Sequence, residues 1–459
     1  MNAWPVGVTT LLYLLAATCF IVALKAMSRP TTARRGNLVG AVGALVAVVT
    51  TFLAVDIEHL LSILVAMVVG GTGALILAGR VRMTAMPQVV ALFNGAGGGA
   101  AALVGLLELS QARGQTATST LLAVLFTIAI GAVSFAGSAI TFAKLQELMT
   151  TRPVLLPGQR LLMVAWLVAL VVFAAALLIT EGTWAGVALL IVGLAGGLLL
   201  VLPVGGADVP VVISLLNAAT GLSVAASGFL ASNVLLVVAG TLVGASGLIL
   251  TRAMARAMGR DIGAILFGAL GGGSSAGSTA ISNRPVRSAT PGDLAVVLGY
   301  ANRVVVVPGY GLAAAQAQHA LAELATTLEE RGVEVLFGIH PVAGRMPGHM
   351  NVLLAEADIA YELLLDLAQT NAIMAGTDVA LVVGANDVVN PAAERPGTPI
   401  YGMPIIDTSR AGQCVFVKRS MRPGFAGIEN DLLYEPTTTL LFGDAKSALT
   451  ELVGEIRGL

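Results

Sequence analysis

The sequence predicts a chain of two parts: a multi-span α-helical membrane domain of about nine helices, followed by an α/β domain with a parallel sheet. Composition supports the first part, since 56% of the residues are hydrophobic, 11% are charged and the mean hydropathy is +0.89. Charge separates the two parts. Residues 1–265 carry 13 Lys or Arg and 7 Asp or Glu, whereas residues 266–459 carry 12 and 19. The acidic second part is long enough to bury a core of its own.

Nine segments are long and apolar enough to cross a bilayer, which takes roughly 20 residues of helix. The breaks between them hold charged residues, proline or glycine. The predicted spans are 6–27, 37–55, 58–79, 86–107, 118–142, 160–179, 184–203, 209–230 and 233–255.

The basic residues between these spans fall almost entirely on one side of the membrane. Only Arg113 lies on the other side. The majority are Lys25, Arg29, Arg34, Arg35, Arg80, Arg82, Lys144, Arg152, Arg160, Arg252, Arg256 and Arg260. By the positive-inside rule that side is the cytoplasm. Nine crossings then place the N-terminus outside and the acidic domain in the cytoplasm.

The segment 303–315 predicts a nucleotide-binding turn. Four consecutive valines read as a buried parallel strand, and Gly309, Gly311 and Ala314 follow it in the spacing G-x-G-x-x-A. A helical pattern then runs from Leu312 to Glu330. Strand, glycine turn and helix together are typical of a Rossmann-like dinucleotide-binding domain. The alternative is a tight strand–helix turn in an ordinary α/β domain.

Each residue of this turn has an expected role. Gly309 permits the tight turn, Gly311 lets a pyrophosphate approach the backbone, and Ala314 lets the helix pack closely on the sheet. The helix N-terminus then offers free N–H groups and a partial positive charge to the phosphates.

The next strand, 333–339, favours NADP over NAD. In the NAD fingerprint an acidic residue at the end of this strand binds the ribose 2′-hydroxyl. Here the strand is followed by His340, which leaves room for a 2′-phosphate. The loop continues to His349 and includes Arg345 between glycine and proline residues, suited to a phosphate or a carboxamide oxygen, or else simply solvated. Both histidines are expected to be structural, since no third metal ligand has suitable spacing.

Polar residues follow the later predicted strands, at the strand ends where α/β domains bind ligands. After strand 380–383 come Gly384, Ala385, Asn386 and Asp387, of which Asp387 either accepts a bond from a carboxamide or caps a turn. After strand 415–417 come Lys418, Arg419 and Ser420, which predict a phosphate pocket or, alternatively, a solvated edge. Strand 440–442 precedes Gly443 and Asp444, and we also predict a helix over 354–370 and a strand at 405–406.

The membrane spans contain few polar residues, and Asn94 and Asn217 are the most prominent. A buried asparagine is costly in a bilayer unless it is paired, so each is either a functional site or a bond between helices. Ser214, Asn217 and Thr220 share one helix face. Asp208 lies at a cytoplasmic loop, and no Asp, Glu or His lies in the middle of a span.

A segment rich in Gly, Ser and Thr separates the two parts and reads as a flexible linker. We therefore predict three regions: residues 1–262 as a transmembrane domain, 263–290 as the linker, and 291–459 as a cytoplasmic NADP(H)-binding domain.

Taken together, these motifs resemble the β subunit of proton-translocating NAD(P) transhydrogenase, and the resemblance covers essentially the whole chain. In the soluble part it rests on residues 307–311, 337–345, 384–387, 418–421 and 442–446. In the membrane part it rests on residues 206–210 and 215–217.

The resemblance implies reversible hydride transfer from NADH to NADP⁺, coupled to proton translocation across a bacterial cytoplasmic membrane. NADP(H) would bind to this chain and NAD(H) to a partner α subunit, in a lipid-embedded assembly of two α and two β chains. Lys418, Arg419 and Ser420 would hold the 2′-phosphate. The full expected cofactor set is Gly309, Tyr310, Gly311, Ala314, Arg345, Gly384, Ala385, Asn386, Asp387, Lys418, Arg419, Ser420, Gly443 and Asp444. No catalytic side chain, metal or nucleic acid is expected.

The resemblance implies that residues 1–262 form a transmembrane proton-channel domain. Its expected proton path contains Asn94, Asp208 and Asn217. Many members of the family have a histidine seven residues after a Met-Pro pair, whereas here Met86 and Pro87 are followed at that distance by Asn94. We therefore hypothesise that a transmembrane helix of the partner supplies the protonatable group, expected to be a histidine. Two other classes stay open: an NADP-regulated membrane transporter or channel, and a membrane-anchored NADP reductase without pumping.

Overall fold

The computed structural model describes residues 6–54, 57, 59–111, 117–150, 153–205, 208–259, 261–267, 284–345, 348–398, 400–424 and 426–459. The chain divides into two compact units. The first comprises residues 1–203 and 212–250, and the second comprises 204–211 and 251–459.

Within the described residues, nine helices are long and apolar enough to cross a membrane, as predicted. They are α1 (Val6–Met27), α2 (Pro30–Ala54), α3 (Leu60–Arg80), α4 (Met86–Gln111), α5 (Thr118–Leu145), α6 (Gln159–Thr180), α7 (Thr183–Val201), α8 (Val209–Leu230) and α9 (Val234–Ala257). The largest difference from the prediction is that α2 begins at Pro30 rather than at residue 37. Proline is favourable there because the first N–H groups of a helix need no intrahelical acceptor.

Glycines bring these helices into close contact. A Cβ on Gly98 of α4 would lie 3.0 Å from the Gly131 carbonyl oxygen of α5, and a Cβ on Gly221 of α8 would lie 2.9 Å from the Gly240 carbonyl oxygen of α9. Small residues are what allow membrane helices to approach to backbone contact. Any larger side chain at these positions would push the helix pairs apart.

The second unit contains a six-stranded parallel sheet, which confirms the predicted Rossmann-like class. Its strands are β1 (Arg303–Pro308), β2 (Glu334–Gly338), β3 (Leu364–Leu365), β4 (Val379–Val383), β5 (Gln413–Lys418) and β6 (Thr438–Phe442). The helices of this unit after α9 are α10 (Ile262–Phe267), α11 (Pro291–Gly299), α12 (Tyr310–Ala314), α13 (Gln318–Glu329), α14 (His349–Glu356), α15 (Leu367–Ile373) and α16 (Ala445–Gly458). The strand order is β3-β2-β1-β4-β5-β6. From β1 the chain adds strands first on one side (β2, β3) and then on the other (β4, β5, β6), and such sheets bind dinucleotides at the point between β1 and β4 where the side changes.

The sheet is covered on both faces. Val304 and Val306 point into one hydrophobic cluster, and Val305 and Val307 point into the other. This two-sided burial explains why the strand reads as an unbroken apolar run. Every residue of both clusters lies between positions 286 and 456. The second half therefore has a core of its own, and we expect a fragment of residues 284–459 to fold alone.

Three predicted elements were wrong. The helix expected over 312–330 is interrupted, because Gln316 adopts a left-handed φ of 51° between α12 and α13. The helix expected over 354–370 is replaced by the end of α14, the strand β3 and the start of α15. Asp366 begins α15 through a capping box with Gln369, which stops any helix from running through this point.

The strand expected at 405–406 was also wrong. Ile406 is buried, but its N–H donates to the Val388 carbonyl at 2.9 Å, and Asn371 donates to the Ile405 carbonyl at 2.9 Å. These backbone groups therefore bond to loops and to a side chain instead of to a neighbouring strand. Apolar character alone did not distinguish the two arrangements.

The predicted linker has structure at both described ends. It begins within α10, and residues 268–283 lie outside the described residues. At its other end, the Ala289 N–H donates to the Leu440 carbonyl at 3.1 Å, and the Leu440 N–H donates to the Arg287 carbonyl at 2.8 Å. Residues 287–289 therefore bond to β6. The three regional boundaries remain predictions.

Candidate functional site

Two glycine loops meet at the carboxyl ends of β1 and β4. A Cβ on Gly311 would lie 2.6 Å from the Gly384 Cα atom, and Gly384 has a left-handed φ of 67°. A Cβ on Gly384 would collide with the backbone nitrogen of Leu312. The two loops thus pack backbone against backbone, which glycine alone permits. The contact joins the predicted residues Gly309, Gly311, Gly384 and Ala385 into one structure, because a Cβ on Gly309 would also lie 2.5 Å from the Ala385 Cα atom.

The backbone N–H groups of this turn are partly used within the protein. The Gly309 N–H donates to the Val383 carbonyl at 2.9 Å, and the Gly311 N–H donates to the Gly384 carbonyl at 2.8 Å. In addition, α12 has only five residues, so its dipole is far smaller than that of the long helix predicted here. Side chains must therefore contribute more of any phosphate binding than the sequence analysis expected.

Ala314 does not have the packing role that the glycine pattern predicted. Its side chain is exposed at the end of α12, whereas the preceding Ala313 is fully buried in the core. The place of Ala314 in the cofactor set remains a prediction.

Arg345 lies beside the glycine turn. Its guanidinium carbon is 4.1 Å from the centre of the Tyr310 ring, a cation–π contact between the loop after β2 and the first residue of α12. The Arg345 N–H donates to Nδ1 of His349 at 3.1 Å, and His349 is fully buried with its ring edge-on to Tyr310. The structure therefore brings Tyr310 and Arg345 together, and His349 supports the loop that carries Arg345.

Both histidines of this loop are held neutral. Burial lowers the pKa of His349, and the nearby Arg345 charge lowers it further. Burial also lowers the pKa of His340, although a hydrogen bond to the Pro404 carbonyl opposes the shift. Nδ1 of His340 accepts from the Val342 N–H at 3.2 Å, so Nε2 carries the proton donated to Pro404. His340 thus occupies the end of β2, where the NAD fingerprint has an acid.

Lys418 and Asn386 connect the ends of β5 and β4. Nζ of Lys418 donates to Oδ1 of Asn386 at 3.0 Å. Burial lowers the pKa of Lys418, while the nearby Asp387 carboxylate opposes that shift. Arg419 and Ser420 follow and are both exposed at the strand end. Two cations and a hydroxyl therefore lie at the end of β5, the strand next to β4, and form a donor set suited to a phosphate.

Asp387 fixes the segment that follows β5. We name residues 419–424 and 426–434 the covering segment. Oδ2 of Asp387 accepts from the Ala426 N–H at 2.8 Å, and Oδ1 accepts from Nδ2 of Asn386 at 3.1 Å. A Cβ on Gly424 would collide with this carboxylate, so glycine is needed there for close approach. Asp387 is thus bonded within the protein to a segment 39 residues away, and its role towards a cofactor stays a prediction.

Two asparagines in the same region were missed in the sequence analysis. Nδ2 of Asn390 donates to the Glu429 carbonyl at 3.1 Å, and Nδ2 of Asn430 donates to the Asn386 carbonyl at 3.2 Å. Both are almost fully buried. They bind the loop after β4 to the covering segment. In the sequence, Asn390 before Pro391 and the isolated Asn430 are typical of ordinary loops, so they did not predict these bonds.

Gly443 and Asp444 lie at the end of β6. The Gly443 N–H donates to the Lys418 carbonyl at 3.0 Å, which places this turn beside the predicted phosphate pocket. The Asp444 side chain accepts from the Lys446 N–H at 3.2 Å and caps α16. Asp444 therefore has a structural role in addition to any contact with a cofactor.

In the membrane unit, Asn94 is the centre of a neutral hydrogen-bond cluster. Its Nδ2 donates to Oγ of Ser138 at 2.8 Å and to Oγ of Ser134 at 3.3 Å. Ser134 is also hydrogen-bonded to Thr220 through their hydroxyl groups, at 2.5 Å. The cluster joins α4, α5 and α8. Oδ1 of Asn94 is buried and has no hydrogen-bond partner among the described residues, which leaves an acceptor open inside the bundle.

The other two predicted proton-path residues lie elsewhere in the fold. Asn217 is half-buried on α8, and its amide makes no hydrogen bond to another described residue. Asp208 is buried directly before α8 begins. The structure therefore does not join Asn94 and Asn217 by a direct bond.

Comparison with known proteins now decides the family. The family model described as NAD(P) transhydrogenase beta subunit matches residues 9–455. The chain belongs to the NAD(P) transhydrogenase beta subunit family. It is 44% identical over 457 residues to the NAD(P) transhydrogenase subunit beta of Rhodospirillum rubrum, and the alignment covers 97% of this chain and 98% of the relative. The subunit of the same name from a designated Rhodospirillum rubrum strain gives the same values.

The family accounts for the two-part fold. A transhydrogenase beta subunit acts on nicotinamide dinucleotides, and the strand order of the soluble half provides the crevice in which such cofactors bind. The nine long apolar helices among the described residues indicate a membrane protein. The resemblance predicted from the motifs is therefore confirmed.

Proposed function

We propose that this chain binds NADP(H) at the carboxyl ends of its sheet and takes part in reversible hydride transfer from NADH to NADP⁺, coupled to proton translocation. The observation that supports the proposal is that the strand ends of the sheet carry basic side chains: Arg345 contacts Tyr310 of the glycine turn, and Lys418 donates to Asn386 at the end of β4 and is followed by the exposed Arg419 and Ser420. These donors lie in a half of the chain whose net charge is −7, so they supply positive charge locally within an acidic domain.

The residues present fit NADP(H) better than NAD(H). An acid at the end of β2 would repel a 2′-phosphate, and that position holds His340, whose ring is buried and hydrogen-bonded. Lys418 and Arg419 supply positive charge, and Ser420 supplies a hydroxyl. Each charge-assisted contact contributes about 1.5–3 kcal/mol. The donor set therefore supports selection of the phosphorylated cofactor.

The cofactor supplies the hydride chemistry when it is bound, and this chain supplies binding and orientation. Tyr310 and Arg345 form one wall of the proposed NADP(H) site through their cation–π contact. The covering segment forms another, held by Asp387, Asn390 and Asn430. Hydride transfer requires close and oriented nicotinamides but no general acid or base. We therefore assign no catalytic proton transfer to a side chain of this domain.

A second nucleotide must come from a partner. The chain has one glycine turn of the dinucleotide type, and the name beta subunit supports an alpha subunit as the carrier of NAD(H). We propose an assembly of two α and two β chains in a bacterial cytoplasmic membrane, with the NADP(H) domain in the cytoplasm and the N-terminus outside. The one-sided distribution of basic residues supports that orientation.

Protons would pass along the neutral cluster around Asn94, with Asn217 and Asp208 on the same path. An asparagine cannot carry a proton near neutral pH, but it can orient a water molecule or a protonated group. The unpartnered Oδ1 of Asn94 is suited to that task. A histidine from a transmembrane helix of the α subunit would carry the charge. A proton moving down 100 mV supplies about 2.3 kcal/mol, enough to shift the hydride equilibrium roughly fiftyfold.

Reconstitution tests the proposal. The purified chain in proteoliposomes should bind NADP⁺ but should not reduce it with NADH. Addition of an alpha subunit should produce NADPH together with proton movement detected by a pH-sensitive dye. Full turnover by the chain without any partner would contradict the proposal that NADP(H) binds this chain and NAD(H) binds the alpha subunit. Turnover with the partner but without proton movement would contradict the coupling.

A further inference from the structure

One buried lysine has no place in the function proposed above. Lys144 lies in the last turn of α5 and is 0% exposed. Lysine is almost never fully buried unless it is paired, because removing its charge from water is costly. Its position in a membrane helix therefore requires an explanation.

The surroundings of Lys144 stabilise a positive charge. Its Nζ donates to the Val201 carbonyl at 3.0 Å and to the Leu202 carbonyl at 2.7 Å. Both carbonyls belong to the C-terminal end of α7, where the helix dipole is negative and the last carbonyls have no intrahelical donor. Lys144 thus provides a cation that caps a neighbouring helix.

Lys144 is also the end of a polar line on α5. Ser134, Ser138, Thr141 and Lys144 follow one another at intervals of four, three and three residues, and all four are at most 2% exposed. These intervals place them within about one third of the helix circumference, over about 15 Å of its length. The first two residues of the line belong to the Asn94 cluster. The line therefore runs from the neutral cluster towards the end of α5 and terminates in a cation.

Other buried polar groups close the same end of the bundle. Nε2 of Gln88 donates to the Leu145 carbonyl at 3.1 Å, and Nε2 of Gln159 donates to the Leu199 carbonyl at 3.2 Å. Like Lys144, each glutamine bonds to a carbonyl in the last turns of α5 or α7. Lys144 is a charged member of this layer.

We propose that Lys144 is a fixed cationic barrier that closes one end of the polar line to passive proton flow. A positive charge beside a narrow polar path raises the energy of a proton or hydronium ion passing it, as positive charges do in channels that exclude cations. Leakage would otherwise dissipate the gradient without hydride transfer. This inference rests on the proposed proton path, and it adds a residue that keeps that path closed between turnovers.

The test measures proton leak through the complete complex in proteoliposomes, with a trapped pH-sensitive dye, an imposed potassium diffusion potential and no nucleotide. Lys144→Met should raise the passive proton flux on the order of tenfold. Lys144→Arg, which keeps the charge, should leak no faster than the wild type. Lys25→Met is the matched control, since Lys25 is an exposed lysine on α1 and its loss should leave the flux unchanged.

A second variant separates a barrier from a general weakening of the bundle. Ser138→Leu blocks the polar line, so the double variant Lys144→Met/Ser138→Leu should return the flux to the wild-type level. A flux that stays high in the double variant would show that the leak does not follow this line and would overturn the proposal. A wild-type flux in an assembled Lys144→Met complex would overturn it as well. Because the leak assay contains no nucleotide, its result is independent of the hydride-coupled pumping assay. The barrier proposal can therefore fail while coupled pumping is observed, and coupled pumping can fail while the leak depends on Lys144 as proposed.

Discussion

The two halves of this chain each contain a polar cluster, and the clusters differ in charge and in burial, since the first is buried and the second is half-buried. In the membrane half, Asn94, Ser134, Ser138 and Thr220 form a neutral cluster between three helices. In the soluble half, the cluster around Asp387 includes Asn386 and Lys418 and joins two loops at strand ends. One cluster has no formal charge, and the other contains both an anion and a cation.

The difference shows which task each half is suited to. A neutral cluster in a low-dielectric interior can change hydrogen-bond partners without an unpaired charge, which suits the passage of protons carried by another group. A charged cluster near water can bind phosphate and hold two loops together. A substitution in one half should therefore impair that half's proposed task, proton passage or nucleotide binding, and leave the other task unchanged.

The largest effect is expected from Asn217→Leu. This change removes a half-buried amide from α8, so proton pumping should fall to background in proteoliposomes, while NADP⁺ binding to the soluble half stays at the wild-type level. Asn37→Leu, at an exposed asparagine on α2, is the control and should pump normally. Pumping that survives in Asn217→Leu would remove this residue from the proton path.

Gly384→Ala should destabilise the soluble half strongly. The added Cβ collides with the Leu312 backbone and sits at a φ of 67°, so we expect a loss of about 3 kcal/mol or more in the free energy of unfolding. Gly332→Ala is the matched control, because Gly332 has a φ of 84° but nothing within 4 Å of its Cβ position. It should cost only about 1–2 kcal/mol. Urea unfolding of residues 284–459 measures both, and equal losses would show that the contact between the two loops contributes nothing.

Arg419→Ala should weaken NADP⁺ binding roughly tenfold or more and leave NAD⁺ binding nearly unchanged, since one charge-assisted contact to the 2′-phosphate is lost. Arg457→Ala is the control, at an exposed arginine that pairs with Glu323 on the surface. Calorimetry with both nucleotides measures the change. A parallel loss of affinity for NAD⁺ would move Arg419 away from the 2′-phosphate.

The smallest effect is expected from pH. The folded pKa of His340 lies below the unfolded value near 6.5, so the unfolded state takes up protons first as the pH falls. The contribution of the neutral His340 to the free energy of unfolding should therefore be fully present above about pH 6.5. Below that pH the free energy of unfolding should decline by at most about 1.4 kcal/mol per pH unit for each such histidine. His340→Asn should reduce the slope of stability against pH between pH 7.5 and 5.5. An unchanged slope in His340→Asn would contradict the neutral, buried ring.

The features of the fold that depend on long patterns were predictable from the sequence. Nine apolar runs of sufficient length gave the membrane helices, and the four valines before Gly309 gave the central strand, because burial on both faces leaves an unbroken apolar signal. Short elements were not predictable in the same way. The strand β3 has two residues, and its pairing with β2 is a tertiary contact that no local pattern reports.

The candidate site was predictable in part for the same reason. Lys418 and Asp387 could be found because they directly follow recognisable strands. The bonds from Asn390 and Asn430 join segments that are 39 and 44 residues apart in sequence, so only the folded structure reveals them. The break at Gln316 depends on a single left-handed residue, which no helix propensity in the surrounding alanines and leucines predicts.

The central claim is that the soluble half of this chain selects NADP(H) over NAD(H). The most direct test is isothermal titration calorimetry of residues 284–459, a fragment that contains the whole sheet and both hydrophobic clusters. We expect NADP⁺ to bind at least about tenfold more tightly than NAD⁺, because two cations and a hydroxyl surround the proposed 2′-phosphate position. Equal affinity for the two nucleotides would contradict the claim.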